Sequence, residues 1–290
     1  MSFRSLTIPE RLAALAGLLA AIASIAGFIP GLYRDRLLVI AQTHGFDIGD
    51  LVAGTVLGLG LAWSAGGSTR GRVVSIGALG YLLYSFVTYA FLIVLNPVTI
   101  LYIGVLGCGA WAFVSGLGKV DVQEAELMFS NHLRRRTTAI FLLAIASLFA
   151  LNWLREIAAS VVTGQLPPSL AAAGWPMNPP YVLDLAFVIP LSVLAALRLL
   201  RGRTGGAWLS VSLVVFIALL SLSVLLMTVY MAFDGQPLQW PLVLVFVIVA
   251  AASAALAWLA LRSGRAEVPK DRVSTKLRGG STSSSGHASR

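Results

Sequence analysis

With 58% hydrophobic and only 11% charged residues, and a mean hydropathy of +0.86, this 290-residue chain is too apolar for a soluble domain of its size. Its 21 Lys and Arg outnumber 12 Asp and Glu, giving a formal net charge of +9. Those cations gather in the connections between apolar runs, so the excess reads as a topology signal and excludes a nucleic-acid footprint. Cys108 is the single cysteine, which excludes an internal disulfide and a thiolate metal cluster.

The apolar runs are repeatedly long enough for a helix to cross about 30 Å of hydrocarbon, and the alternating strands of a barrel are absent. The fold class predicted is all-α, a polytopic bundle of eight transmembrane helices. The first span is read at residues 12–29. Ala21-Ile22-Ala23 mimics a signal-cleavage site, but the apolar run continues through Phe28 and exceeds a typical signal core, so the helix is read as retained. Spans two and three, 48–63 and 73–95, flank a Gly/Ser turn with Arg70 and Arg72. Asn96-Pro97 turns the chain into span four, 98–117.

A polar connection, 119–136, marks the midpoint. Span five follows at 137–162, then an uncharged Pro/Ala-rich loop, 164–180, and span six at 181–200, where Pro190 predicts a kink. Spans seven and eight are read at 207–233 and 241–261. The organisation expected is a first four-helix half (1–118), a cytoplasmic linker (119–136), a second half (137–262) and a disordered, basic cytoplasmic tail (263–290). Only Arg34, Arg36 and Arg155 fall opposite the other cations, which predicts a multi-pass protein of the cytoplasmic (inner) membrane with both termini inside.

At an offset of 134 residues, Asp50-Leu51 meets Asp184-Leu185, and the turns at Arg70 and Arg203 coincide within a residue. Ala21-Ile22-Ala23-Ser24 recurs as Ala144-Ile145-Ala146-Ser147; Arg34-Asp35 follows the first copy and Arg155-Glu156 the second. Two parallel four-helix repeats related by an axis along the membrane normal are therefore expected.

Charge within or beside a span needs a partner or a task. At 1.5 Å per residue, Arg155 stands roughly 28 Å from Arg136 and so near the outer interface. Snorkelling to the headgroups competes there with a role in binding. Asp50 and Asp184 are expected one or two turns below that surface, paired with Arg34 and Arg155 respectively. In span three, Tyr81, Tyr84, Ser85 and Thr88 share one helix face, either lining a path from the outer charges or making interhelical hydrogen bonds. The candidate substrate-binding residues are Arg34, Asp35, Asp50, Tyr81, Tyr84, Asn152, Arg155, Glu156 and Asp184. Asp47 and His44 are read as part of a loop before span two, solvated or holding a cation. Trp153, Trp175, Tyr181 and Trp240 are read as an outer aromatic belt.

Several chemistries lack their residues. Of the histidines His44, His132 and His287, no two share a span to hold a haem, and no lysine lies within a span. Diphosphate-binding Asp pairs, Gly-rich phosphate loops and nucleophile elbows are missing. No catalytic residue, metal site or cofactor is assigned.

Gly80-Tyr81-Leu82-Leu83-Tyr84 with Tyr89-Ala90-Phe91, and Leu183-Asp184-Leu185 followed by Ile189-Pro190-Leu191, resemble a group of uncharacterised bacterial multi-pass membrane proteins. The resemblance implies a bacterial source and no activity. Three readings follow from the residues. The first is a transporter or receptor for a small, anionic solute drawn by Arg34 and Arg155. The second is a structural or assembly subunit whose Gly/Ala faces meet a membrane protein partner, and the third, ranked behind them, is an enzyme acting on a lipid-linked substrate. Membrane lipids are expected partners throughout, and nucleic acid is not.

Overall fold

The computed structural model describes residues 6–117, 120–129 and 131–263; the expected disordered tail lies, from residue 264, outside the described residues. All described elements are helical, and eight helices are long and apolar enough to cross a membrane. This is the architecture of a multi-pass membrane protein. Leucine, isoleucine and phenylalanine side chains such as Leu37, Phe91, Ile100, Leu151 and Phe233 stand exposed on its outer faces, as expected of surfaces that meet lipid tails.

Helix α1 (Ile8–Gly27) begins at a capping box, in which the Thr7 backbone N–H donates to Glu10 Oε2 at 2.8 Å, with Pro9 in the first turn. Helix α2 (Leu37–Ser64) starts eleven residues before the expected span two, because the polar stretch before Ile48 continues the helix instead of looping. Helices α3 (Thr69–Leu92) and α4 (Thr99–Leu117) complete the first half.

The midpoint connection is itself folded. Helix α5 (Val122–Glu126), capped by Asp121, leads into a single turn that buries Met128 and Phe129. Helix α6 (His132–Thr163) then takes in Arg134 to Arg136, so span five is longer than expected. It is capped by Asn131 at its start and ends at Gly164, whose left-handed φ of 65° closes the helix. The loop after it forms the short helix α7 (Pro168–Ala173).

Span six is built from α8 (Pro179–Leu183), a π-helical turn (Asp184–Val188) and α9 (Ile189–Leu200). Pro190 has no N–H to offer the preceding turn, and the chain accommodates it by widening to the π-turn, where the Ile189 N–H reaches the Asp184 carbonyl. The expected kink is thus a π-bulge that begins at Asp184. Helices α10 (Gly206–Phe233) and α11 (Trp240–Arg262) end the bundle.

The start of α1 and the end of α11 lie at one end of the bundle, where Ser64 donates to Glu10 and Arg70 donates to the Ser263 carbonyl at 2.8 Å. The two halves interlock through α10, which packs in the groove between α2 and α3. They do not close alike. Among the first four spans α1 runs along α4, whereas among the last four α6 and α11 barely meet, and a cavity opens at that gap.

Candidate functional site

Helix α3 is the polar spine of the interior. Its hydroxyls divide between two carboxylate systems, because residues three and four apart share a helix face while each neighbour along the turn points to a different partner helix.

The first system belongs to α2. Asp47 is fully buried and accepts from the Tyr89 hydroxyl at 2.9 Å and from the Tyr33 hydroxyl at 3.1 Å. Asp50, one turn on, is also fully buried; Oδ2 accepts from Ser85 at 3.1 Å and Oδ1 has no hydrogen-bond partner. Tyr81 stands near the same carboxylate and shares a 2.6 Å hydrogen bond with Ser223 of α10. His44 is not in a loop. It lies in α2, its ring stacked on Phe28 at 5.0 Å and its Nε2 3.3 Å from the Gly27 carbonyl oxygen.

The second system sits on span six. Asp184, 6% exposed, accepts at Oδ2 from the Trp153 indole N–H at 2.7 Å, while Oδ1 is buried without a partner. The Tyr84 hydroxyl of α3 stands beside this carboxylate. One turn further along α6, Glu156 accepts from the buried Tyr181 hydroxyl at 2.5 Å. Trp153 and Tyr181 therefore turn inward to serve two acids, and the aromatic belt expected of them is not formed; Trp240, 69% exposed, does face outward.

Neither expected ion pair forms. Arg34 and Arg155 are exposed, and the carboxylates expected to meet them are answered instead by Ser85 and Trp153. Asp50 lies thirteen residues into a 28-residue helix, about 20 Å from its start, too deep for Arg34 in the connection before α2. Asp184 is held by a neutral indole, and Arg155 projects from a different face of α6 than Trp153. Asp35 also has a structural task, since both its oxygens accept from the Val94 backbone N–H at 3.1 and 3.3 Å, tying the α1–α2 connection to the α3–α4 turn.

Burial holds the Asp35 carboxyl above its ordinary range, opposed by the Val94 N–H. The folded state then binds this proton more tightly than the unfolded chain does. The resulting stabilisation is complete below the ordinary aspartate value and is lost as pH rises through the raised one. The thermal stability of the wild type relative to Asp35→Asn is expected to fall across that window in detergent solution. A difference that stays flat with pH removes Asp35 as the titrating group.

Between the halves lies a half-open cavity of about 620 Å³. It is lined by Tyr84, Ser85, Thr88 and Tyr89 of α3 and by Phe149, Asn152 and Trp153 of α6 together with Asp184. Helix α10 contributes Leu220, Val224 and Met227, and α11 contributes Val245 and Phe246. Phe149 and Phe246 meet at 6.0 Å across the α6–α11 gap. Leu170 and Trp175 line the cavity at the end where α6 runs into α7. That end is pinned by Arg36, whose Nη1 donates to the Ala171 and Ala172 carbonyls at 3.0 and 2.9 Å, at the C-terminal end of α7.

Of the residues expected to form a site, the cavity gathers Tyr84, Asn152 and Asp184. Arg34, Asp35, Asp50, Tyr81, Arg155 and Glu156 are not part of its lining. Trp153, Tyr89 and Gln42 were not among the expected site residues. Trp153 carried one signal, its place in the same charged stretch as Asn152 and Arg155. The chain matches no family model, no curated protein and no solved structure.

Proposed function

We propose that this chain is a membrane receptor or carrier that holds a small, largely apolar solute in the cavity between α2, α3, α6, span six, α10 and α11. The cavity itself carries the reading. At about 620 Å³ it has the size of a small-molecule site, and its apolar and aromatic walls are interspersed with polar groups, Asp184, Tyr84, Asn152 and Gln42 among them. The π-turn at Asp184 supports the same view, because such bulges recur at functional sites. An anionic solute drawn by Arg34 and Arg155 loses its support, since no described lysine or arginine lines the cavity. By the positive-inside rule the end bearing Arg70 and Arg134 to Arg136 is read as cytoplasmic, and α7 with its end of the cavity is then on the outer side.

The assembly-subunit reading is weaker, because much of the small-residue surface on which it drew is consumed within the chain. Ala13 and Gly17 of α1 are buried, with Gly17 against Leu57, and Gly54 faces the Gly17 backbone.

The test fills the cavity. Val224→Trp, placed at its α10 wall, is expected to abolish saturable quenching of tryptophan fluorescence by a neutral nitroaryl tert-butyl probe in lipid nanodiscs, while the wild type quenches saturably. Equal quenching by a folded Val224→Trp protein overturns the reading.

A further inference from the structure

The charge of the solute can be read from the walls, given that the cavity is the binding site proposed above. Among the described lining residues Asp184 is the only acidic side chain, and no lysine, arginine or histidine accompanies it. Its Oδ2 is committed to Trp153, and its Oδ1 is buried without a hydrogen-bond partner. A carboxylate out of water needs a counter-charge or a full set of donors, and leaving one oxygen unanswered costs about 1–3 kcal/mol or more. The protein supplies the Trp153 indole N–H, with the Tyr84 hydroxyl beside it, and no cation among the described lining residues.

Around this carboxylate the walls are aromatic. Phe46, Tyr84, Tyr89, Phe149, Trp153 and Phe246 all line the cavity. Aromatic faces attract cations, most strongly where water is excluded, and they repel the electron-rich groups of an anion. The Trp153 ring is fixed in place, since its N–H is bonded to Asp184 and its ring packs against Tyr181 at 5.1 Å and Phe149 at 6.1 Å. The terminal torsion of an aspartate is soft, so the carboxylate can turn its unanswered oxygen toward a guest without moving the backbone.

We infer that the solute is a lipophilic organic cation, an amine or quaternary ammonium with an apolar body, whose charge sits between Asp184 and the aromatic wall of α3 and α6. The apolar body fills the space between α10 and α11 along Val224, Met227 and Val245. The charged head stays at the π-turn, where the sole acid is placed.

The experiment uses a matched pair of nitroaryl probes on the full-length protein in zwitterionic nanodiscs, one bearing a trimethylammonium group and the other its tert-butyl isostere. Quenching of tryptophan fluorescence gives each affinity. The wild type is expected to bind the cation at least tenfold more tightly than the isostere. Asp184→Asn, whose amide oxygen still accepts from Trp153, is expected to lose that preference, the two probes then binding within about twofold of each other. Equal affinity for both probes in the wild type, or a cation preference that survives in Asp184→Asn, overturns this inference and leaves the cavity reading standing. If neither probe quenches saturably, the cavity reading falls and takes this inference with it.

Discussion

Gly45→Val is expected to be among the most damaging single substitutions in this chain. A Cβ at Gly45 of α2 would run into the backbone of Met227 and Leu226 in α10. Those atoms are not the tip of a flexible side chain, so one helix must move. Overpacking of this kind costs about 1–3 kcal/mol where side chains yield, and more where backbone is the obstacle. The same seam holds Gly49 against Ser223 and the Tyr81–Ser223 hydrogen bond, so a shift at Gly45 spreads along it. Because Phe46 and Met227 also line the cavity, probe binding should fall together with stability. The control is Gly58→Ala, where the added atom meets open space and helix propensity favours alanine by about 1 kcal/mol. Thermal unfolding in detergent checks both. Equal midpoints for Gly45→Val and Gly58→Ala would mean that α2 and α10 do not approach as closely as described.

A comparable loss is expected at Asp47. Substitution by leucine takes the carboxylate from the Tyr33 hydroxyl and leaves Tyr89 only its longer bond to the Thr43 carbonyl at 3.2 Å, and a stranded buried donor costs about 1–3 kcal/mol. An isolated aspartate at a helix centre is itself unfavourable on insertion by about 2.5–3.5 kcal/mol, so two effects of opposite sign compete. The hydroxyls decide the balance here, because Tyr89 and Asp47 are fully or almost fully buried and Tyr33 is 6% exposed, leaving water no easy access. Burial and the neighbouring carboxylate also hold the Tyr33 hydroxyl proton more tightly than in water, so it remains a donor that needs an acceptor. Asp47→Leu should therefore lower the unfolding midpoint markedly, and Asp47→Asn, which keeps an acceptor, should lower it less. Adding Tyr33→Phe and Tyr89→Phe to Asp47→Leu should restore much of the loss. Failure of the triple variant to recover would show that the carboxylate is needed for something other than those two hydroxyls.

The buried acids that the sequence singled out have partners other than those it suggested. Charge in an apolar run is conspicuous, so Asp50, Asp184, Glu156 and Arg155 could be found from composition alone. Their partners could not. An acid on one helix looks equally suited to every donor on its neighbours, and the choice depends on how far each helix is rotated about its axis. The nearest conspicuous arginines, Arg34 and Arg155, were the natural guess, yet Asp50 is answered by Ser85 and Asp184 by Trp153. Tryptophan near a span end reads as an interface anchor, and only the inward rotation of α6 makes Trp153 a donor to a buried acid. Asp47 was misplaced because 37–47 mixes Gln42, Thr43 and His44 with apolar residues and resembles a loop. It is helical because its polar atoms find acceptors and donors on α1, α3 and within α2, as when Thr43 donates to the Val39 carbonyl at 2.7 Å.

What the sequence determined by itself was the number of spans and their approximate limits, because crossing a hydrocarbon layer demands a run of apolar residues that composition records directly. The hydroxyl face of α3 was legible for the same reason, as a consequence of helical periodicity. The tertiary structure decided the rest. The gap between α6 and α11, set against the closed contact of α1 with α4, opens a cavity on one side of the bundle. Which acid borders that cavity follows from the π-turn at Asp184 and from the docking of α10 against α2 and α3. These depend on how close two helix backbones approach and which way each is turned, and both are settled only when all eight helices pack together.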